Sequence, residues 1–268
     1  MKKVLGTLIV LILFISGCNH DKGTFSNLKS MNYRMSDTDL SKIAGEKIYF
    51  GHQSVGYNIV NGINLLVNDS QKRLEVIEGF PDKNSKPGFY HSLNGKNCYP
   101  IGKIDDFVTK MEGGIGGNVD IAFFKFCYID FSKETDVDQL FEHYKSSMAR
   151  LKREFPGIKF IYCTAPLTRN SGWLKTLLKL LLHKGNSDKL DNLKRNEFNQ
   201  LIHNEYDNKE TIFDIAKFES NEYQTYFIKD GIKIYAMDAD LTSDGGHLNT
   251  LGSEIVAKGL IELLVNMN

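Results

Sequence analysis

Short apolar segments and longer amphipathic segments alternate along most of the chain. The apolar runs, each typical of a buried strand, cover residues 47–50, 74–77, 119–127, 159–165 and 212–216. Between them, apolar side chains at the i, i+3/i+4 spacing of a helix face occupy residues 54–67, 101–111, 136–155 and 190–206. Strands that alternate with helices predict a parallel sheet with helices on both faces. The expected fold class is therefore α/β, a three-layer α/β/α domain with a five-stranded parallel sheet.

Two further segments modify this alternation. Residues 223–228 and 232–237 flank Lys229-Asp230-Gly231, so a β-hairpin insertion is expected near the C-terminus. Residues 80–100 are interrupted by prolines and glycines and predict a long loop, which in a compact domain is usually functional. Four of its side chains either line a pocket or are simply solvated, namely His91, Asn94, Asn97 and Tyr99.

The most informative stretch is KIYFGHQSVGYNIVNG, residues 47–62, where a buried strand turns sharply into a helix. Ser54 occupies the turn, and Gly51 and Gly56 on either side permit a tight backbone and close approach. The unpaired N–H groups at the start of a helix attract developing negative charge. Ser54 is therefore a candidate nucleophile, although serine often does no more than N-cap a helix.

A second candidate cluster lies near the C-terminus, in Ser243-Asp244-Gly245-Gly246-His247-Leu248-Asn249. Asp244 and His247 are three residues apart on a glycine-containing loop that precedes an apolar helical run. At this spacing the carboxylate can orient the imidazole, as a general base requires. The same pattern also occurs in surface turns, so it indicates a catalytic site only in combination with Ser54.

Together these residues resemble the SGNH/GDSL hydrolase family, over roughly residues 46–267. The resemblance implies five strands in flavodoxin-like order, with Ser54 as nucleophile and Asp244 and His247 completing a triad. Gly51-His52-Gln53-Ser54 is one residue longer than the family's Gly-Asp-Ser. No metal or organic cofactor is implied.

The family's oxyanion donors match less well. The resemblance implies that the N–H of Ser54 stabilises the oxyanion, helped by Gly95 and by the side chain of Asn97. Gly79 is the competing candidate for the glycine. The third family block corresponds to residues 120–130, DIAFFKFCYID. A gap-free alignment places Cys127 where a glycine is expected, and it places Ile129 where the oxyanion asparagine is expected.

The N-terminus predicts export. A Lys-Lys start and the apolar residues 4–15 are followed by Ile15-Ser16-Gly17-Cys18, which resembles a bacterial lipobox. The predicted organisation is a lipoprotein signal peptide over 1–17, a tether over 18–35 that begins at lipid-bearing Cys18, and an SGNH-like domain over 36–268. The alternative is an ordinary signal peptide with an incidental cysteine. Lipidation predicts a bacterial envelope protein that is anchored on the extracytoplasmic side without spanning the membrane.

Composition narrows the range of partners. The 268 residues carry no formal net charge, which gives no reason to expect nucleic acid as a partner. Three cysteines remain besides Cys18, namely Cys98, Cys127 and Cys163, and an odd number cannot all pair internally. No spacing of cysteine and histidine suggests a zinc site.

These observations predict a lipid-anchored serine ester hydrolase, an O-deacylase or esterase. Its substrate would be a small-molecule or glycan ester, such as an acylated envelope or extracellular polysaccharide. The expectation of a glycan substrate is based only on the predicted location and on the breadth of the family. One alternative is a catalytically inactive carbohydrate-binding or assembly lipoprotein of the same fold. Another is an acyltransferase that uses the same triad.

Overall fold

The structure is a computed structural model that describes residues 37–67, 74–170 and 188–267. Its helices are α1 (Asp37–Ile43), α2 (Val55–Val67), α3 (Pro100–Glu112), α4 (Val137–Glu154), α5 (Asp188–Tyr206), α6 (Ile215–Glu219) and α7 (Thr250–Asn266). Its strands are β1 (Lys47–His52), β2 (Val76–Glu78), β3 (Gly88–Leu93), β4 (Ile121–Phe124), β5 (Lys159–Cys163), β6 (Thr211–Phe213), β7 (Tyr226–Lys229) and β8 (Ile232–Tyr235). Short 3₁₀ turns cover Ile115–Gly117, Tyr128–Asp130 and Ala239–Leu241.

Strands β1 to β6 form one sheet in the order β2-β3-β1-β4-β5-β6, and every pairing in it is parallel. Helices α1, α2, α6 and α7 pack together, and α3, α4 and α5 form a second group. The predicted α/β class and parallel sheet are confirmed. The sheet has six strands rather than five. The flavodoxin-like order survives in β3-β1-β4-β5-β6, with β2 added at the edge.

The extra strand lies in the segment that was expected to be a loop. β3 pairs with β1 along its whole length and with β2 on its other side, and its first five residues are buried. Its sequence, GFYHSL, lacks a continuous apolar run because His91 and Ser92 are polar. Both find partners inside the protein: Ser92 Oγ lies 2.8 Å from the Tyr49 hydroxyl, and His91 contacts His52. Internal pairing offsets the cost of burying them, so a strand forms within a segment whose prolines and glycines predicted a loop.

Between the sheet and the group formed by α3, α4 and α5 lies a core rich in aromatic residues. Phe124, at the end of β4, lies 4.8 Å between ring centroids from Phe107 of α3 and 5.7 Å from Tyr144 of α4. Phe198 of α5 closes the same cluster against Tyr144. This packing fixes the end of β4, and with it the loop that follows at the carboxyl edge of the sheet.

The predicted hairpin near the C-terminus is also confirmed. β7 and β8 are antiparallel, and Lys229 pairs with Ile232 across a two-residue turn. Asp230 and Gly231 both have positive φ, at 51° and 79°, as a type I′ turn requires.

The predicted signal peptide over 1–17, the tether over 18–35 and the lipidation site at Cys18 lie outside the described residues. Within the described ranges, no helix is both long and apolar enough to cross a membrane.

Helices α2 and α7 approach so closely that a glycine is needed at their contact. A Cβ added to Gly62 would lie 2.1 Å from the carbonyl oxygen of Ser253. Both helices begin at the carboxyl edge of the sheet, α2 directly after Ser54 and α7 soon after His247. Their close packing therefore also restrains the two loops that carry the candidate catalytic residues.

We expect Gly62→Ala to lower the free energy of unfolding by about 1–3 kcal/mol, because the added methyl group overpacks a contact with backbone. Urea unfolding followed by circular dichroism measures the change. The control is Asn61→Ala on the same helix, since Asn61 is exposed. Equal stability of the two variants would contradict the close packing of α2 on α7.

Candidate active site

Ser54 lies in the turn between β1 and α2, as the sequence predicts. β1 ends at His52 and α2 begins at Val55, so Ser54 directly precedes the first turn of α2. Gly56 permits the turn, because a Cβ at that position would come within 2.3 Å of the His52 side chain. The hydroxyl of Ser54 lies 3.9 Å from the sulfur of Cys127, in the loop after β4.

A pair of buried histidines supports the turn from within. His52 Nε2 lies 3.0 Å from His91 Nδ1, and the edge of the Tyr57 ring faces both imidazoles. Burial lowers the pKa of both histidines, and Lys125 and His91 lower that of His52 further, to about 3. Both rings are therefore neutral near pH 7, so one can donate to the other across the strands. The sequence predicted His91 in a loop, where it would either line a pocket or be solvated.

Gly95 contacts the Ser54 turn, but its N–H is not free to act as the expected oxyanion donor. Its carbonyl oxygen accepts from Gln53 Nε2 at 2.6 Å, and its N–H donates to Asp106 Oδ2 at 2.7 Å. The positive φ of 59° and the closeness of Lys103 require glycine there. Gly95 therefore links the loop after β3 to the Ser54 turn. A donor role at the oxyanion first requires its bond to Asp106 to break.

Asn97, the other predicted donor, is held by a buried ion pair. Its Oδ1 accepts from Lys103 Nζ at 2.9 Å, and the same ammonium lies 2.6 Å from Asp130 Oδ2. Asp130 also accepts the N–H of Cys98 at 2.9 Å and that of Cys127 at 2.6 Å. The loop after β3 and the loop after β4 are thus joined through one carboxylate.

Asp244 and His247 form the dyad that their spacing predicts. Asp244 Oδ2 lies 2.7 Å from His247 Nδ1, and Asp244 Oδ1 accepts the N–H groups of Gly246 and His247, each at 2.8 Å. These donors, with Gly246 first, hold the pKa of the Asp244 carboxyl well below its usual range. The carboxylate therefore stays ionised and fixes the imidazole, leaving Nε2 for a second partner. The imidazole side chain is 40% exposed, as a base that meets substrate should be.

Tyr128 links the two halves of the site. It follows Cys127 in the chain, and its ring meets the edge of the His247 imidazole, with ring centroids 5.5 Å apart. A side chain on Gly246 would collide with the Tyr128 ring at 2.6 Å. Arg195 of α5 holds the tyrosine from behind, since its Nε donates to the Tyr128 carbonyl oxygen at 2.8 Å.

The loop after β4 therefore contacts both parts of the predicted triad. Ser54 touches Cys127, and the Asp244–His247 pair packs against the next residue, Tyr128. The concerted action of Ser54, His247 and Asp244 stays a prediction.

Sequence reasoning missed several residues that position the site: His52, Lys103, Asp130 and Tyr128. One signal in the sequence could have indicated them: the charged residues Lys125 and Asp130 lie within or directly after an apolar run. Buried charges need partners, and Lys103, the partner of Asp130, lies 27 positions away. Among the residues that the structure describes, no group of three or more histidine, cysteine and acidic side chains could hold a metal ion.

Comparison with solved structures places the chain among α/β proteins of the same fold. It is similar to a Streptococcus pneumonia protein named for platelet activating factor, at 13% identity, with a TM-score of 0.51 and coverage of 85% of this chain and 92% of that chain. It also resembles an acetyl xylan esterase (19% identity, TM-score 0.46, 80% and 97% covered). A third match is a lipolytic protein of the G-D-S-L family from Desulfitobacterium hafniense, at 9% identity, with a TM-score of 0.47 and coverage of 81% of this chain and 99% of that chain.

A scan against protein-family models found no match, and a search of curated proteins also found none. The likeness to these solved structures is one of fold.

We expect Lys103→Met to lower the free energy of unfolding by about 3–5 kcal/mol, because it leaves the buried Asp130 carboxylate without its cation. Lys103 and Asp130 side chains are both fully buried. Lys110→Met on the same helix is the control, since its pair with Asp106 is partly exposed and such pairs contribute at most about 1 kcal/mol. Urea unfolding measures both; a Lys103 variant as stable as the control would contradict the dependence of the two loops on this ion pair.

Proposed function

We propose that this chain is a serine ester hydrolase of the SGNH type, an O-deacylase or esterase. The observation that carries the proposal is the arrangement at one edge of the sheet: Ser54 on a strand-to-helix turn, and an Asp244–His247 pair on the loop before the last helix. Both contact the single loop after β4. The esterase names of similar structures support the same class.

In the proposed reaction, Ser54 Oγ attacks the ester carbonyl carbon. The Nε2 atom of His247 takes the serine proton and returns it to the leaving alcohol. Asp244, held ionised by its backbone donors, keeps the imidazole in the required tautomer and stabilises the imidazolium. Water then hydrolyses the acyl-enzyme by the reverse sequence of proton transfers, so no metal or organic cofactor enters the proposed mechanism.

The finer proposal concerns location and substrate. The lipobox-like segment that ends at Cys18 supports a lipid-anchored protein of the bacterial envelope that faces the extracytoplasmic side. An enzyme at that position meets acylated envelope or extracellular polysaccharides, and we propose esters on such glycans, or small-molecule esters, as substrates. An acyltransferase with the same three residues would differ only in the acceptor, an alcohol in place of water.

We expect the three residues to act as one unit, so that their effects on rate do not add. Ser54→Ala and His247→Ala should each remove nearly all hydrolysis of a small aryl acetate, and the double variant should be little slower than either. Asp244→Asn should be comparable or milder, because the carboxylate acts only through the base. The kcat/KM of the purified protein measures all four.

Fluorophosphonate labelling supplies the control, since wild type should be labelled at Ser54 and Ser54→Ala should not. His143→Ala serves as a matched histidine control, because His143 is paired with an exposed aspartate on α3. Full activity in Ser54→Ala would falsify the serine mechanism. A folded wild type that neither reacts with the label nor hydrolyses esters would favour the non-catalytic carbohydrate-binding alternative.

We expect Cys18→Ser to prevent lipidation and to release the protein from the membrane fraction, because the thiol is the attachment point. Metabolic labelling with a fatty-acid analogue, followed by fractionation, measures both, and Cys98→Ser is the matched cysteine control. Label that persists in Cys18→Ser would contradict the proposed anchor.

A further inference from the structure

Lys125 is a buried lysine directly after β4, with 1% of its surface exposed. Its Nζ donates to the carbonyl oxygen of Phe126 at 3.2 Å and lies 3.6 Å from the sulfur of Cys127. In the described part of the chain, no carboxylate lies within 4.0 Å of this nitrogen. An ammonium that is buried against neutral acceptors is costly, whereas methionine or leucine would fill the same space without that cost. Packing alone therefore does not explain a lysine here.

The positive charge of Lys125 acts on three other buried groups. It adds to the effect of burial in lowering the pKa of His52. It also opposes the rise that burial causes in the pKa values of Cys163 and Glu219. The field of this ammonium thus reaches the ends of both strands that flank β4, at His52 of β1 and Cys163 of β5.

Cys127 lies between the ammonium and the candidate nucleophile. Its sulfur accepts from Lys125 Nζ at 3.6 Å and lies 3.9 Å from Ser54 Oγ. Because the ammonium donates to the sulfur, the thiol proton is left for the side on which Ser54 lies. The Cys127 backbone is fixed as well, since its own N–H donates to the Asp130 carboxylate.

In the described part of the chain, no side-chain amide is hydrogen-bonded to Ser54 Oγ. Ile129, which the gap-free alignment put at the position of the oxyanion asparagine, is 47% exposed, and the side chain in contact with Ser54 is Cys127. Of the other expected donors, the Gly95 N–H is bound to Asp106, and the Asn97 side chain is held through its Oδ1, which accepts from Lys103. The side chain that contacts the reacting hydroxyl is a thiol with a buried cation behind it.

We propose that Cys127 and Lys125 together form the charge-stabilising side of the Ser54 site, in the place where the resemblance expects an asparagine. Cys127 is the catalytic residue, and its S–H donates to the oxyanion. Lys125 is a positioning residue that acts through the sulfur. This inference rests on the proposed function. It assigns the oxyanion donor that the predicted donors do not supply.

The reaction step balances without any change at sulfur. The bond from Ser54 Oγ to the carbonyl carbon forms, the carbonyl π electrons move to oxygen, and the serine proton passes to His247 Nε2. Cys127 keeps its proton and donates a hydrogen bond to the new oxyanion. A thiol is a weak donor, but the hydrogen bond that the sulfur accepts from Lys125 polarises S–H and strengthens it.

The experiment compares variants of the purified chain on a small aryl acetate. We expect Cys127→Ala to lower kcat about 10- to 100-fold with KM changed less than about twofold, since an oxyanion donor acts mainly in the transition state. Cys127→Ser keeps a hydroxyl donor and should stay within about fivefold of the wild-type kcat. Cys163→Ala, a second buried cysteine, is the matched control and should leave kcat unchanged.

Lys125→Met is the second variant. We expect kcat to fall about tenfold in the wild-type background and by less than about twofold in the Cys127→Ala background, because the lysine acts through the sulfur. A lysine that only stabilised the fold would lower activity equally in both backgrounds. Thermal unfolding shows whether Lys125→Met folds. If it does not fold, the comparison of Cys127→Ala with Cys127→Ser still tests the inference, because neither substitution changes a charge.

Three outcomes would overturn the inference. Equal losses in Cys127→Ala and Cys127→Ser would show that volume matters and donation does not. Wild-type kcat in Cys127→Ala, with Ser54→Ala inactive, would remove the inference and leave the proposed function intact. Full activity in Ser54→Ala, together with a fluorophosphonate adduct on Cys127, would make the thiol the nucleophile and overturn both.

Discussion

The candidate site depends on the buried ion pair between Lys103 and Asp130. Removing two charges from water costs several kcal/mol per ion, and the pair is tolerated only where further hydrogen bonds complete it. Here Asp130 also accepts the backbone N–H groups of Cys98 and Cys127, and Lys103 also donates to Asn97. Those bonds fix two loops that come from different strands. The position of Cys127 beside Ser54 follows from them.

The remaining parts of the site are fixed by the architecture of the sheet. In a parallel sheet, the loops that follow the strands gather at the carboxyl edge, which is where ligands bind in such folds. Ser54 and Cys127 follow neighbouring strands, β1 and β4. His247 arrives from the far end of the sequence, on the loop before α7, and α7 packs on α2 through Gly62. Tyr128 then holds the imidazole beside the loop after β4.

Much of this site is neutral or buried, which makes the few charges more effective. The two histidines beneath the turn have lowered pKa values and contribute no charge near pH 7. Lys125 is thus the cation closest to Cys127, while Asp244 supplies the anion behind the imidazole. A positive charge on one side of Ser54 and a negative charge behind the base suit a reaction that creates an oxyanion and an imidazolium at the same time.

The α/β class, five of the six sheet strands, the hairpin and the local Asp244–His247 pair could be predicted from the sequence, because periodicity, turn chemistry and short spacings are local properties of a chain. The sequence missed β3, since His91 and Ser92 look like loop residues until His52 and Tyr49 are seen beside them. It also assigned Gly95 a free N–H that Asp106 occupies, and it did not reveal that Lys103 holds Asn97 through its Oδ1. These points follow from the folded structure alone, because whether a polar group can be buried, or is left to donate, depends on partners that lie far away in sequence.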